Sequence, residues 1–399
     1  MTGRERLFFA LLLGLVVALD PLSIDTALPA AQVMASDLGT DLSAVQLSLS
    51  LFVLGMAAGQ IVYGPMSDRF GRRPVLLFAL VLYVSASAAL AISPGVEMLL
   101  GARLVQGLAA AATQVIARAV VRDRLDREDA SRVLSYVFLV LGIMPIAAPV
   151  AGAWLTEAAG WRSIFLAMLA YGAAALAIHW RWLPETNETP DRGALAPDRL
   201  LAAFSKVARS GVFWAYVGCG AAAFSALFAF LAGAPAAFIV HLGETPEAFG
   251  WFFALVMVGN LVGYPVGSRL VMRLGIVRLL MWGTLGGLAS GLAIAALAIA
   301  GVASPWAIVA PACAYMFFFA LILPPATAGA LSPFPGVAGA ASSLLGVVQL
   351  GCAALAGALV AGFDDGTQMP LAIAIAAASI AGLLAFVWVR GLAAGGRRR

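Results

Sequence analysis

The stretch A-L-D-P-L-S-I-D-T-A-L-P, Ala18–Pro29, lies inside the first long apolar run of the chain, 7–30. A run of that length reads as a helix crossing a bilayer, which needs about 20 predominantly apolar residues. Of the 20 acidic residues, Asp20 and Asp25 alone sit well inside such a run. An ionisable group at that depth costs about 2.5–3.5 kcal/mol on insertion scales, so it usually faces an internal cavity and carries a function. The helix is therefore expected to wall a pathway for substrate and protons, and the rest of the chain to open that pathway to either side. Pro21 removes a backbone donor and loosens the hydrogen-bond ladder behind it. Five residues turn a helix by about 140°, so the two carboxylates cannot share one narrow face.

Outward from this stretch the pattern repeats. The chain has 399 residues, 62% hydrophobic and only 11% charged, with a mean hydropathy of +0.98. That is the composition of a polytopic membrane protein. A net charge of +4 is too small to suggest nucleic acid as a partner. Cys219, Cys313 and Cys352 lie far apart in apolar runs without metal-ligand spacing and read as small buried hydrophobes. The basic start, Met1–Arg6, imitates a signal peptide, but aspartates inside the apolar run argue against one.

Apolar runs predict twelve spans, at 7–30, 43–64, 74–93, 97–120, 133–155, 162–183, 212–240, 249–268, 276–300, 304–327, 336–362 and 369–390. Only helices and closed barrels satisfy their own backbone in lipid, and unbroken runs this long mean helices. With both termini in the cytoplasm, basic residues gather on that side: Arg4 and Arg6, Arg69 to Arg73, Arg118 to Arg132, Arg181 to Arg209, Arg269 to Arg278, and Arg390 to Arg399. Arg103 and Arg162 alone fall opposite, and this asymmetry sets the expected orientation. The connection near Ser332 to Val337 should be cytoplasmic yet carries no positive charge. Trp161, Trp182, Trp251, Trp306 and Trp388 lie near span ends, as interfacial anchors would.

The longest polar connection divides six spans from six, giving expected domains at 1–183 and 212–399 joined by a linker, 184–211. Within the linker, Pro197 to Arg209 reads as a short surface helix with Leu200, Leu201 and Phe204 on its apolar side. The halves share a faint repeat. G-P-M-S-D-R-F-G, Gly64–Gly71, follows the second span, and G-S-R-L-V-M-R-L-G, Gly267–Gly275, follows the eighth. Both end in arginine, an apolar residue and glycine. Duplicated six-helix halves are a transporter signature, with the site near the midplane.

The extended stretch G-P-M-S-D-R-F-G-R-R-P, Gly64–Pro74, resembles the loop motif between the second and third helices of the major facilitator superfamily, with Gly64, Asp68, Arg69, Gly71, Arg72 and Arg73 in register. The glycines permit a tight turn, and the arginines are expected to meet anionic headgroups. The resemblance implies a cytoplasmic latch between halves. R-L-V-Q-G-L-A-A-A, Arg103–Ala111, resembles the fourth-helix motif linked to proton coupling. A-P-V-A-G, Ala148–Gly152, matches the fifth-helix antiporter motif in part: Pro149 and Gly152 fit, with Pro145 on the same helix, while other glycines are replaced. S-I-D-T-A-L-P, R-A-V-V-R-D (Arg118–Asp123), W-R-S-I-F (Trp161–Phe165), L-P-E-T (Leu183–Thr186) and A-G-A-A-S-S-L-L-G (Ala338–Gly346) add to it. Together they are similar to the Bcr/CflA group of bicyclomycin- and chloramphenicol-resistance drug:proton antiporters. The resemblance implies an all-α integral membrane protein of twelve helices in two pseudo-symmetric bundles. It further implies an inner-membrane location, a small lipophilic drug and protons as partners beside membrane lipid, and a monomer.

On helical rise, Asp25 lies about 8 Å below the outer end of its span and Arg103 about 9 Å below the same surface. Opposite charges at one depth suit a carboxylate whose proton competes with drug; a static Asp25–Arg103 pair locking the first bundle is the alternative. Desolvation favours a neutral carboxyl, and a nearby cation favours the charged one. Asp25 is assigned as the principal proton carrier and Asp20 a cation-recognition or second-proton role. The Bcr/CflA pattern has an apolar residue at position 20, whereas a related exporter motif has aspartate, so that division stays open. Gln60, Gln106, Gln114, Asn260 and Gln349 are candidate cavity-lining groups or interhelical hydrogen-bond partners. Phe228, Phe230 and Phe317 to Phe319 read as an aromatic wall or as lipid-facing filler. No metal set is expected at His179 or His241.

Three rival functions bear weighing. Nutrient import by symport fits the fold, although the partial antiporter motif argues against it. A non-transporting sensor on the same fold would not need Asp25 and Arg103. A membrane-embedded enzyme would need a catalytic cluster that the spans lack. The sequence has no G-x-x-x-x-G-K-[ST] loop, so an ion gradient rather than ATP or another cofactor is the expected energy source.

Overall fold

The computed structural model describes residues 3–124, 127–188, 190–191, 193–334 and 337–396. The side chains of 3–7, 122, 127–142, 338 and 393–396 lie outside that description, and with them Arg4, Arg6, Arg122, Arg127, Arg132 and Arg397 to Arg399.

The first span is built in pieces. Helix α1, Gly3–Val17, gives way at Ala18 to α2, Leu19–Asp25, then to a single 3-10 turn, Leu28–Ala30, and to α3, Ala31–Asp37. The prolines explain both breaks. Pro21 cannot donate to the carbonyl of Val17, and Pro29 cannot donate to that of Asp25. The span was expected to end at Ala30, but Pro29 is accommodated in the first turn of a new segment, where a missing N–H costs little. The apolar span therefore runs from Phe8 to Asp37.

The other helices are α4 (Leu42–Phe70), α5 (Arg72–Ala91), α6 (Val96–Arg124), α7 (Arg127–Ala159), α8 (Arg162–Trp182), α9 (Pro197–Ala208), α10 (Gly211–Pro235, continued by a π turn, Ala236–His241), α11 (Pro246–Ile299), α12 (Pro305–Leu331), α13 (Ala338–Gly362) and α14 (Met369–Gly396). Helix α11 is two spans in one, divided at Gly275, where φ is 74° and ψ 167°. With α1–α3 counted as one span, α11 as two and α9 as a surface helix, the helices among the described residues correspond to twelve spans.

By internal packing the chain divides into two compact units: Met1–Thr40 with Leu51–Leu201, and Asp41–Ser50 with Ala202–Arg399. In the second unit Phe228, Phe230 and Phe319 are buried. Phe319 meets Phe224 edge-on at 5.5 Å, and Phe230 stacks on Phe253 at 5.7 Å. These three rings are core rather than lipid-facing filler. Trp182, Trp251, Trp306 and Trp388 are exposed, whereas Trp161 is buried.

Trp161 serves a different purpose. Its indole donates to Asp37 Oδ2 at 3.0 Å, and Arg162 donates to the same oxygen at 2.5 Å and to the Ser93 carbonyl at 3.0 Å. The guanidinium of Arg162 lies 4.2 Å from the indole centroid. The start of α8 thus holds the far end of the broken first span.

Candidate functional site

Helix α6 presents a polar stripe to α2. Arg103, Gln106, Thr113, Gln114 and Arg118 follow at steps of three, seven, one and four residues, and Ala109 to Ala112 between them are buried. Small residues at this crossing let the backbones approach. Two clusters result, one around each end of α2.

At the first, Asp20 is buried and accepts two hydrogen bonds from α6, from Thr113 Oγ1 at 3.1 Å and from Gln114 Nε2 at 2.6 Å. One turn further along α6, Arg118 donates to Gln60 Oε1 of α4 at 3.4 Å.

At the second, Arg103 is buried, with its guanidinium 4.9 Å from the Phe165 centroid and 5.7 Å from that of Phe52. It donates to the Ser23 carbonyl at 2.8 Å and to Gln106 Oε1 at 2.9 Å. Gln106 in turn donates to Ser87 Oγ of α5 at 2.9 Å. The Ser23 hydroxyl donates to the Leu19 carbonyl and shares a 2.6 Å hydrogen bond with Tyr83. The cation is balanced by neutral acceptors and aromatic faces, the latter worth about 2 kcal/mol when desolvated.

Asp25 is buried two residues beyond Ser23. Among the described residues it makes no ion pair with Arg103, which is bonded to the backbone of α2 instead. The static pair is therefore not what this structure contains. The longer first span also moves Asp25 to about 18 Å from its far end, deeper than a span ending at Ala30 implies. Next to Asp25, the backbone of Thr26 faces Gly152 of α7, and any β-carbon at 152 would collide with the Thr26 carbonyl. Pro145 and Pro149 lie inside the same helix.

In the second unit, Asn260 Oδ1 and Gln349 Nε2 are buried without hydrogen-bond partners. Buried polar atoms without partners are rare and call for an explanation such as a ligand or water.

The Gly64–Pro74 loop is more than a charged turn. Arg72 is buried, pairs with Asp68 at 2.5 Å and Asp123 at 2.9 Å, and donates to Ser67 Oγ at 2.7 Å. Asp68 thus pairs with a neighbouring arginine, as its place in the motif suggests, and Arg72 faces carboxylates inside the unit rather than the headgroups expected of it; Arg69 is exposed and lies over Phe70. Gly71 has φ 97° and ψ 153°. Directly after it, Glu185 accepts the backbone N–H groups of Arg72 at 2.9 Å and Arg73 at 3.1 Å, which caps α5 with a carboxylate as its dipole favours. Arg124 donates to the Glu185 carbonyl at 2.9 Å, and Arg73 to the Trp180 carbonyl at 2.6 Å.

Thr113, Tyr83, Ser23 and Ser87 were not singled out from sequence as site residues. Hydroxyls in an apolar run carry little signal until their partners are known. The α6 stripe itself, with Gln106, Gln114 and Arg118 at helical spacing from Arg103, could have pointed to position 113.

Comparison with known proteins agrees with this architecture. The family model described as Major Facilitator Superfamily matches residues 13–358. A chloramphenicol resistance protein of Pseudomonas aeruginosa is 33% identical over 86% of this chain and 81% of its own. A bicyclomycin resistance protein homolog of Haemophilus influenzae is 28% identical over 97% of both chains. Multidrug resistance protein D of Escherichia coli is 30% identical over 88% of this chain and 87% of its own. Among solved structures, a D-xylose-proton symporter superposes with a TM-score of 0.75 at 15% identity, covering 96% of this chain and 97% of that one. That likeness establishes the fold. The chain belongs to the major facilitator superfamily, among its drug transporters of the bicyclomycin- and chloramphenicol-resistance type. It is a multi-pass membrane transporter and not an enzyme.

Proposed function

We propose that the chain exports small lipophilic drugs across the inner membrane in exchange for protons, by alternating access between domains 1–183 and 212–399, with the linker 184–211 and both termini in the cytoplasm. The observation that carries this is the pair of buried carboxylates on one broken helix, Asp20 and Asp25, flanking the point where Arg103 grips the Ser23 carbonyl. The names of the relatives support a drug as cargo.

Asp25 carries the proton. It is buried two residues along α2 from the Ser23 carbonyl that Arg103 grips, so a movement of α2 changes how its charge is balanced. Asp20, held in place by Thr113 and Gln114, recognises a cationic or polar group of the drug. Proton binding at Asp25 competes with drug binding, which is sufficient for antiport. Gly152, with Pro145 and Pro149, keeps α7 tight against Thr26 and closes the route past Asp25. Gln106 orients Arg103, Gln114 orients Asp20, and Asn260 and Gln349 offer free hydrogen-bonding groups to cargo. The loop of Gly64, Asp68, Arg69, Gly71, Arg72 and Arg73 acts in cytoplasmic gating. The protein works as a monomer, with the proton gradient as its energy source.

The test is transport in proteoliposomes under an imposed pH gradient, with chloramphenicol and a cationic dye as cargo. Drug movement opposite to protons, abolished in Asp25→Asn and Arg103→Ala and altered in Asp20→Asn, is expected. Loss in Asp20→Asn alone moves the proton site to Asp20. Movement with the protons makes the protein an importer, and gradient-independent behaviour for every compound removes the function.

A further inference from the structure

We propose that α9 is a membrane-surface anchor that binds the anionic headgroups of the leaflet on its side. The helix is amphipathic, and its apolar arc is only partly covered. Val207 is fully buried in a cluster with Phe213, Val217, Phe334 and Leu345, while Leu200 and Phe204 are half-buried. Leu201, about 120° round the helix from Val207, is 74% exposed. The covered side therefore fixes the helix to the protein, and the Leu201 edge faces away from it.

The depth of that edge is set by tryptophans. The Trp214 indole donates to the carbonyl of Ala208, the last residue of α9, at 2.7 Å. Gly211 lies against the ring of Trp388, which is 48% exposed near the end of the last span. Exposed tryptophans at span ends mark the headgroup level. Leu201 thus stands uncovered on a helix whose end is tied to that level. Lys206 and Arg209 are exposed beyond it, and their long side chains let the charges reach the headgroup layer. Of the remaining charges, Arg199 is engaged by Asp191 at 3.5 Å, and Asp198 sits in the first turn, where a carboxylate complements the dipole. An apolar edge at headgroup depth, with Lys206 and Arg209 on the polar side where their long side chains can reach the same layer, fits an anionic lipid surface.

The test does not require transport, so it stands apart from the proposed exchange mechanism. A variant with Cys219, Cys313 and Cys352 replaced by alanine carries Leu201→Cys, or Ala202→Cys on the polar side, labelled with an environment-sensitive fluorophore. It is placed in nanodiscs of phosphatidylcholine with or without phosphatidylglycerol. The label at 201 should shift to the blue and be quenched by nitroxide lipids when phosphatidylglycerol is present, while that at 202 stays accessible to iodide. Lys206→Gln with Arg209→Gln should lower the ratio of inserted to free label by roughly 25-fold, about fivefold for each basic residue. Equal iodide access at 201 and 202, or equal insertion in both lipids, overturns the proposal. The cysteine-containing chain gives an independent measurement. Phosphatidylglycerol should raise its melting temperature above that in phosphatidylcholine, and Leu201→Ser with Lys206→Gln and Arg209→Gln should remove the rise. A rise that survives the triple change overturns the proposal as well.

Discussion

The loops at Gly64–Pro74 and Gly267–Arg278 share a backbone and differ in everything attached to it. Each breaks its helix at a glycine that follows arginine and an apolar residue, with φ 97° and ψ 153° at Gly71 and φ 74° and ψ 167° at Gly275. That region is open essentially to glycine alone. Around Gly71, three carboxylates and a serine hold Arg72 and the start of α5. Around Gly275, Arg269, Arg273 and Arg278 are exposed, and nothing lies within 4 Å of a β-carbon placed on the glycine. The same contrast runs deeper into the spans. The first unit buries the ionisable Asp20, Asp25 and Arg103, with Asp20 and Arg103 in hydrogen-bonded clusters, whereas the second offers the neutral Asn260 and Gln349. A repeated scaffold thus carries charge handling in one copy and neutral surface in the other.

The largest effect expected from this contrast is on coupling. Asp25→Asn should reduce gradient-driven transport to background, while Asn260→Ala and Gln349→Ala keep the coupling and raise KM by about fivefold, one hydrogen bond of about 1 kcal/mol. The reverse pattern in a proteoliposome assay would place charge handling in the second copy. Next comes stability. Arg72→Ala should cost about 2–3 kcal/mol, below the about 3–5 of a fully buried pair because Asp68 is half exposed. Arg273→Ala should stay within about 0.5 kcal/mol. Thermal melting in detergent compares them, and equal losses would erase the distinction between the loops.

The two glycines separate backbone from surroundings. Gly275→Ala should lose about 1–3 kcal/mol through strain alone. Gly71→Ala carries that cost plus about 1 kcal/mol more, since its methyl group displaces the Glu185 carboxylate. A larger loss at 275 than at 71 would contradict the packing described. Smallest is Glu185→Gln, which preserves shape and removes only the charge at the start of α5, about 0.3–1 kcal/mol. A drop matching that of Arg72→Ala would make Glu185 the keystone of the loop.

Much of the architecture is legible in the sequence because lipid leaves the backbone few choices, and runs of apolar residues mark spans directly. The loop motif is legible for a similar reason: glycine at a forbidden dihedral and charges at fixed steps are local properties. What escapes is whatever depends on a distant partner. Nothing near Arg103 in sequence shows that it bonds to the Ser23 carbonyl, because that acceptor is a backbone atom freed for use by an interrupted helix. Arg72 reads as a headgroup contact until Asp123 and Glu185 are brought beside it. Pro29 reads as a stop, yet a proline at the start of a new turn is tolerated, and the span continues to Asp37. Thr113 has only the spacing of the α6 stripe to mark it until Asp20 faces it.

The Glu185 contact also orders events during biogenesis. Its carboxylate is made 113 residues after Arg72, whose N–H it accepts. At about 5–20 residues per second, the ribosome needs roughly 6 to 23 seconds to deliver it. During that interval α5 has a bare amino-terminal end and the loop arginines lack one of their anchors. The sixth span must be threaded before the loop can close. A nascent chain stalled earlier would display that open, basic turn, a mark by which an incomplete half differs from a finished one.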